Sequence, residues 1–474
     1  MRKLTFLLLA AAFCAGCTVG PKYVAPVPTP PIPAEYKENQ NWKPAGPSDQ
    51  MPKGNWWEVF RDPQLNSLEE RIQVSNQTLK AAQDRFIQAR ALVRIERSQL
   101  FPTVTGGMGI SQNHISPNQP LHTPTTQTNY SDFLTSVDAS YEADVWGRVR
   151  NSVTARRAEA QANAADLEVV SLGLHAELAM DYFQLRGLDT QKQLLDSTVA
   201  AYEEALKLTD NRFHGGLSSA LDVAQAQTQL ETTRAQATDV GVQRAVLEHA
   251  IAVLSGQQAS NFSLPSTPLV APPPAIPAGL PSELLERRPD VAGAERLVAA
   301  ANAQIGVARA AYFPMLNLTG AGGFESTAIT TWISGPSGIL AAGTSALVTA
   351  FDGGRRRAVS DQARAAYDES LATYQETVLT AFQEVEDNLS TLRILEGEAK
   401  TEDVAVQAAQ HSLELSENRY KGGVDSYLAV ITAQSVTLAD KRTAVDILAR
   451  RMTASVLLIK VLGGGWNKSQ LPQI

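Results

Sequence analysis

With 474 residues the chain is long enough for two or three ordinary domains. Its net charge of −8 and its 6% aromatic content argue against a nucleic-acid binder, which presents a basic face. Alanine and glutamine are abundant and lysine is sparse, a composition that suits long packed helices.

The first residues form an export signal. Arg2 and Lys3 precede an apolar run, Leu4 to Phe13, that is too short to span a bilayer. Small residues lead into Cys17 in Cys14-Ala15-Gly16-Cys17, whereas Phe13 rules against cleavage before Cys14. This resembles a bacterial lipobox, with Cys14 where leucine is usual. Residues 1–16 are then removed and Cys17 is lipidated. Ordinary secretion with Cys17 as a free thiol is the competing reading, and a lone exposed cysteine is out of place in an oxidising compartment. Thr18 stands where an aspartate would hold such a lipoprotein at the inner membrane, so it points to the outer one. Once the signal is gone, no disulfide within a chain and no cysteine metal site can form.

Residues 17–61 read as a strap from the lipid to the folded body, with PVPTPPIP at 26–33 and Trp56-Trp57 opening the ordered part. A first unit is expected over 62–261, a Pro-rich linker over 262–281 and a second unit over 282–474. The two units repeat one another. Asn211, Arg212, Gly215 and Gly216 match Asn418, Arg419, Gly422 and Gly423, and Phe101-Pro102 matches Phe313-Pro314. In each unit a helical segment leads to a β-hairpin and then to long helices. The first helical pattern covers 64–99.

The hairpins are expected near 103–144 and 315–351. Val104, Gly106, Met108 and Ile110 alternate with Thr103, Thr105, Gly107 and Gly109. On the return, Phe133, Val137, Ala139 and Tyr141 alternate with Ser136, Asp138, Ser140 and Glu142. In the second unit Leu316, Leu318, Gly320, Gly322 and Phe324 form one face, and a return over 340–351 carries Leu340, Ala342, Ala346, Val348 and Ala350. The period is two, and each segment has the length of a tilted membrane strand. A half-buried sheet over a soluble core is the alternative. Four strands cannot close a membrane barrel and open edges cannot stay in lipid, so the membrane reading requires several chains to share one barrel.

A helix from about 148 to 208 would be roughly 90 Å long. Both long helices carry a seven-residue seam. In the second it runs Leu371, Val378, Val385, Leu392, with Tyr374, Ala381 and Leu395 beside it, and it lapses at Asn388 and Glu402. The Gly-Gly pairs then mark sharp reversals.

These residues resemble the TolC-like outer membrane factor family. The match runs through Cys17-Thr18-Val19-Gly20-Pro21-Lys22-Tyr23, Trp56-Trp57 with Phe60 and Asp62-Pro63, and the two Phe-Pro strand starts. It continues through Asp144-Val145-Trp146-Gly147-Arg148, Arg287-Arg288-Pro289-Asp290, Phe351-Asp352-Gly353-Gly354-Arg355 and the two Gly-Gly turns. The resemblance implies a mainly α fold with β: a long coiled-coil α-helical barrel plus a transmembrane β-barrel shared by a homotrimer. It implies a passive outer-membrane exit duct of a tripartite efflux pump. A periplasmic adaptor and an inner-membrane transporter, of the RND type, would be its partners. The outer component of a type I secretion or metal-export system is the alternative, and a pore-free lipid-anchored coiled-coil scaffold is the rival from another class.

By the same resemblance the reversals form the periplasmic tip that meets the adaptor: Gly215, Gly216, Leu217, Ser218 and Asp222 in the first unit, Gly422, Gly423 and Val424 in the second. Asp425 falls where related ducts carry an acidic constriction, so three copies would form a carboxylate ring. Its plain alternative is a helix cap. Asp222 would tether the two coils. The arginines at 148, 150, 156, 157 and 355–357 read as solvated or phosphate-facing charge at the inner bilayer surface. The six histidines are scattered without metal-ligand spacing, no G-x-S-x-G elbow is present, and Gly463-Gly464-Gly465 lacks a P-loop lysine. No catalytic residue, metal or cofactor is expected.

Overall fold

The computed structural model describes residues 18–29, 31–38, 54–120, 123, 125, 127–276 and 283–474. The export signal and Cys17 lie outside the described residues. A short turn at Trp56–Phe60 leads into α1 (Pro63–Ser75), α2 (Gln77–Ser98), β1 (Thr103–His114), β2 (Asn129–Ala143), α3 (Arg148–His214) and α4 (Ala220–Leu254). The same order returns in α5 (Pro289–Ala310), β3 (Met315–Ser326), β4 (Gly338–Leu347), α6 (Arg355–Lys421) and α7 (Tyr427–Val461). Corresponding helices match in length: 22 residues for α2 and α5, 67 for α3 and α6, and 35 for α4 and α7. The chain is one unit built twice.

Local chemistry sets the ends. Asp62 accepts from the Gln64 and Leu65 amides and Pro63 opens α1. The helical pattern of 64–99 breaks at Asn76, whose backbone is extended. Its side chain caps α2 by accepting from Leu79 N–H and donates to the Leu254 carbonyl. The rod α3 runs to His214, beyond the expected 208, because nothing stops it before Gly216 at φ 74°. At 67 residues α3 and α6 are each about 100 Å long. Their seams are where the heptads place them: Leu174, Leu178, Leu185, Leu195 and Tyr202 are buried on α3, and Tyr374, Val378, Ala381, Val385 and Leu395 on α6.

The main core lies at mid-height. Trp56, Trp57 and Phe60 insert with Leu65, Leu68 and Ile72 of α1 against Leu178, Tyr182 and Leu185 of α3 and Met452, Val456 and Ile459 of α7. Burial pushes the His175 imidazole down to about 4, under the Trp57 ring that stacks on it at 4.4 Å.

Two segments expected as tethers are in fact pinned to the body. The stretch 262–276 is held by Asp189, whose buried carboxylate pairs with Arg186 at 2.9 Å and Arg244 at 2.7 Å and accepts from Thr267 N–H. The same arginines donate to the Pro265 and Leu264 carbonyls. The strap starts on the first unit and runs along the second. Its Val19 amide reaches the Trp146 carbonyl, Tyr23 bonds the Glu295 carboxylate, and the Lys37 and Glu38 amides donate to Glu386. These polar anchors act together with apolar ones, since Tyr36 of the strap and Leu264, Leu269 and Ile276 of the linker are buried in the main core.

Candidate functional site

The four strands form one antiparallel sheet in the order β1-β2-β3-β4. β4 stops at Leu347, short of the expected 351, so Val348 and Ala350 belong to the connection to α6. Residues opposite one another in register share a face. Val104 lies opposite Ala139, Ala139 opposite Gly320, and Gly320 opposite Ala342; Gly106, Val137, Gly322 and Leu340 form the next row. That face therefore gathers the apolar sets of all four strands. The other gathers Thr105, Asp138, Ser136, Thr319 and Ser345. Met108 is 74% exposed and Leu340 90%, which water would penalise and lipid would not. No helix among the described residues is long and apolar enough to cross a membrane.

Aromatic rings mark both ends of this face. At the helix end Trp146 stacks on Phe313 at 4.7 Å and donates to the Pro314 carbonyl. Tyr312 and Phe351 are exposed beside them. At the far end Trp332 leans on Phe133 at 5.4 Å. Such belts sit at membrane–water interfaces. Four of the arginines expected there as solvated or phosphate-facing charge also make ion pairs. Arg148 forks onto Glu142, Arg150 meets Asp144, Arg156 meets Glu159 and Arg356 meets Asp352. The carboxylates stand three to six residues away in the chain, and the side chains of Arg148, Arg150 and Arg156 stay partly exposed.

At the other end of the rods both reversals are the same motif. Gly216 at φ 74° and Gly423 at φ 73° take the left-handed conformation. The Leu217 amide returns to the Arg212 carbonyl at 2.7 Å and the Val424 amide to the Arg419 carbonyl at 2.9 Å. Gly215 and Gly422 end the rods just before them. Leu217 is 72% exposed and Val424 65%, so the tip presents apolar side chains to its surroundings.

The two reversals differ in chemistry. Ser219 and Asp222 form a reciprocal capping box at the start of α4. The Asp222 carboxylate is thereby held on its own helix, which corrects the expectation that it ties the two coils together. Ser218 donates to the Thr209 carbonyl. In the second unit Ser426, not Asp425, stands at the start of α7. Asp425 pairs with Arg419, whose guanidinium holds the carboxyl below its ordinary range. The matched arginine, Arg212, does something else: it crosses to the second unit, lies 4.8 Å over the Tyr420 ring and donates to the Lys421 carbonyl. Tyr420 in turn packs on Tyr427, with Ala226 and Val430 closing the cluster. The repeats differ beside them: Ser218 stands six residues after Arg212, where Asp425 stands six residues after Arg419. The Arg419–Asp425 pair is local to its own turn, and only the folded tip shows that Arg212 crosses to the other unit.

A model of the family described as outer membrane efflux protein matches residues 68–257 and 280–464. The chain belongs to that family. The antibiotic efflux pump outer membrane protein ArpC of Pseudomonas putida is 32% identical over 479 residues, covering 98% of this chain and 96% of that protein. The toluene efflux pump outer membrane protein TtgF of Pseudomonas putida is 33% identical, covering 96% of this chain and 95% of its own. The solved outer-membrane channel OprN superposes with a TM-score of 0.87 at 30% identity, covering 95% of this chain and 100% of that one. This outer-membrane efflux protein thus has the channel fold: a helical rod assembly joined to a β-domain.

Proposed function

We propose that three copies of the chain form the passive exit duct of a tripartite efflux pump, carrying drugs or other small solutes out of the periplasm. The observation that carries this is the sheet. One continuous apolar face backs onto a polar one, its edges β1 and β4 have no strand partner among the described residues, and it stands on rods of about 100 Å. Pairing β4 of one copy with β1 of the next would close the barrel. A pore-free scaffold would have no use for such a face. Heat-sensitive trimer mobility on gels and step conductance in planar bilayers test it, and a monomer without conductance would refute it. Cys17 carries the lipid in this reading, and the Gly-Gly tip receives the adaptor.

Within the duct, Asp425 rings the entrance in three copies, each carboxylate backed by its own Arg419. Asp425→Ala removes three negative charges and leaves three guanidinium groups unpaired. Single-channel recordings are expected to show higher conductance and a loss of cation preference. Unchanged selectivity would remove Asp425 from the constriction. Arg212→Ala breaks the contact with Tyr420 between the units, worth about 0.5–2 kcal/mol. The expected result is a tip that opens more readily, read as increased vancomycin uptake in cells producing the variant. Arg212→Lys should restore only part of the barrier, because a point charge does not stack as a guanidinium does.

A further inference from the structure

A trough of about 740 Å³ lies at mid-height between the two units, walled by α4 and α6 and floored by α3 and α7. The floor is tight: a Cβ on Gly187 would come within 2.9 Å of Ala449. Leu188, Leu247, Leu395 and Leu457 supply an apolar bed. Gln184, Gln191, Gln243 and Asn388 supply neutral amides around it. The Thr453 hydroxyl at the floor has no hydrogen-bond partner among the described residues. The charges lining the trough are Arg450 and Asp446, paired with one another, and Arg450 also meets Glu398. Size and lining are those of a site for a drug-sized organic molecule.

Its direction follows from helix phase. The strap grips α6 at Glu386 and Arg393. At about 100° per residue, Asn388, Thr391 and Leu395 lie about 140–180° around the helix from those two. The linker grips α3 at Arg186, and Gln184, Leu188 and Gln191 lie about 140–160° away from it. Strap and linker therefore pack on one side of the helical layer and the trough opens on the other. A strap that leads to a lipid anchor must run outside the tube, so the open side is the lumen. The outer flanks of α4 and α6 remain for neighbouring copies.

We propose that this trough is a solute-binding station in the wall of the duct, taking uncharged amphipathic organic molecules in transit. The proposal rests on the duct reading for its direction, but the binding itself can be tested alone. The full chain in phosphatidylcholine nanodiscs is titrated with N-phenyl-1-naphthylamine, with empty nanodiscs as the blank. The expected result is a saturable component of one equivalent per chain. Val246→Trp should weaken it by about tenfold or more, since Val246 stands 62% exposed in the trough and a larger ring there fills space without touching the core. Val242→Trp, equally exposed, is the second filling variant. No saturable component, or the same isotherm in wild type and both variants, overturns the site. Planar-bilayer conductance reads the duct separately. A protein that conducts without saturable binding refutes the trough alone, and one that binds saturably without conducting supports the trough and refutes the duct.

Discussion

Gly323→Ala is expected to abolish the β-domain. Gly323 lies in β3 opposite Ser136 of β2, at the centre of the sheet. A Cβ atom there would come within 1.9 Å of the Thr135 carbonyl oxygen and 2.9 Å of the Ser136 Cα. Both obstacles are backbone, so no rotamer change relieves them. Separating the strands breaks ladder hydrogen bonds that lipid cannot replace. The cost exceeds the roughly 1–3 kcal/mol of ordinary overpacking in a core. Loss of the heat-sensitive oligomer on gels and drug susceptibility equal to that of the deletion strain would follow. Gly320→Ala is the control, since a Cβ at Gly320 meets nothing within 4 Å and it sits on the same strand. A normal oligomer from Gly323→Ala would show that β2 and β3 do not pair in this register.

The second large effect lies in the body. Asp189→Ala leaves Arg186 and Arg244 without the carboxylate they share, and Arg186 is 2% exposed. Removing one partner from a buried ion pair costs about 3–5 kcal/mol, because the remaining charge is stranded away from water. The Thr267 amide loses its acceptor at the same time. The stretch 262–276 should detach before the rods melt. Limited proteolysis is expected to cut the variant within that stretch under conditions where the wild type is resistant, and the helical signal should be lost at a lower temperature. Asp189→Asn, which can still accept from Thr267, should fall between the two. Equal protease resistance of wild type and Asp189→Ala would mean the linker is held by Leu264 and Leu269, not by the ion pairs.

Much of this architecture is legible along the chain because it is periodic. Alternation by two marked the strands, and the register pairs Val104, Ala139, Gly320 and Ala342 in the row that alternation implies. The heptads marked the rods, and a paired glycine marked where each must turn. Charges were less legible. The arginines after each hairpin read as free in sequence, yet Glu142, Asp144 and Asp352 lie within reach once the strand ends and the helix begins. The Pro-rich stretch 262–276 reads as a connector, and its anchors, Arg186, Asp189 and Arg244, sit 20 or more residues upstream on two different helices.

By itself the sequence determined the repeat, the presence and order of strands and rods, and the apolar set of the sheet, since each depends on residues near one another in the chain. Tertiary structure alone decided that Arg212 reaches across to Tyr420, that the stretch 262–276 is pinned by Asp189, and which side of the helical layer is open. Those outcomes depend on contacts between residues far apart in the chain, whereas the Asp425–Arg419 pair and the Asp222 cap are local and follow from where the repeats differ. Packing the second coil against the first, with Tyr420 beside Arg212, is what sets the contact between the units.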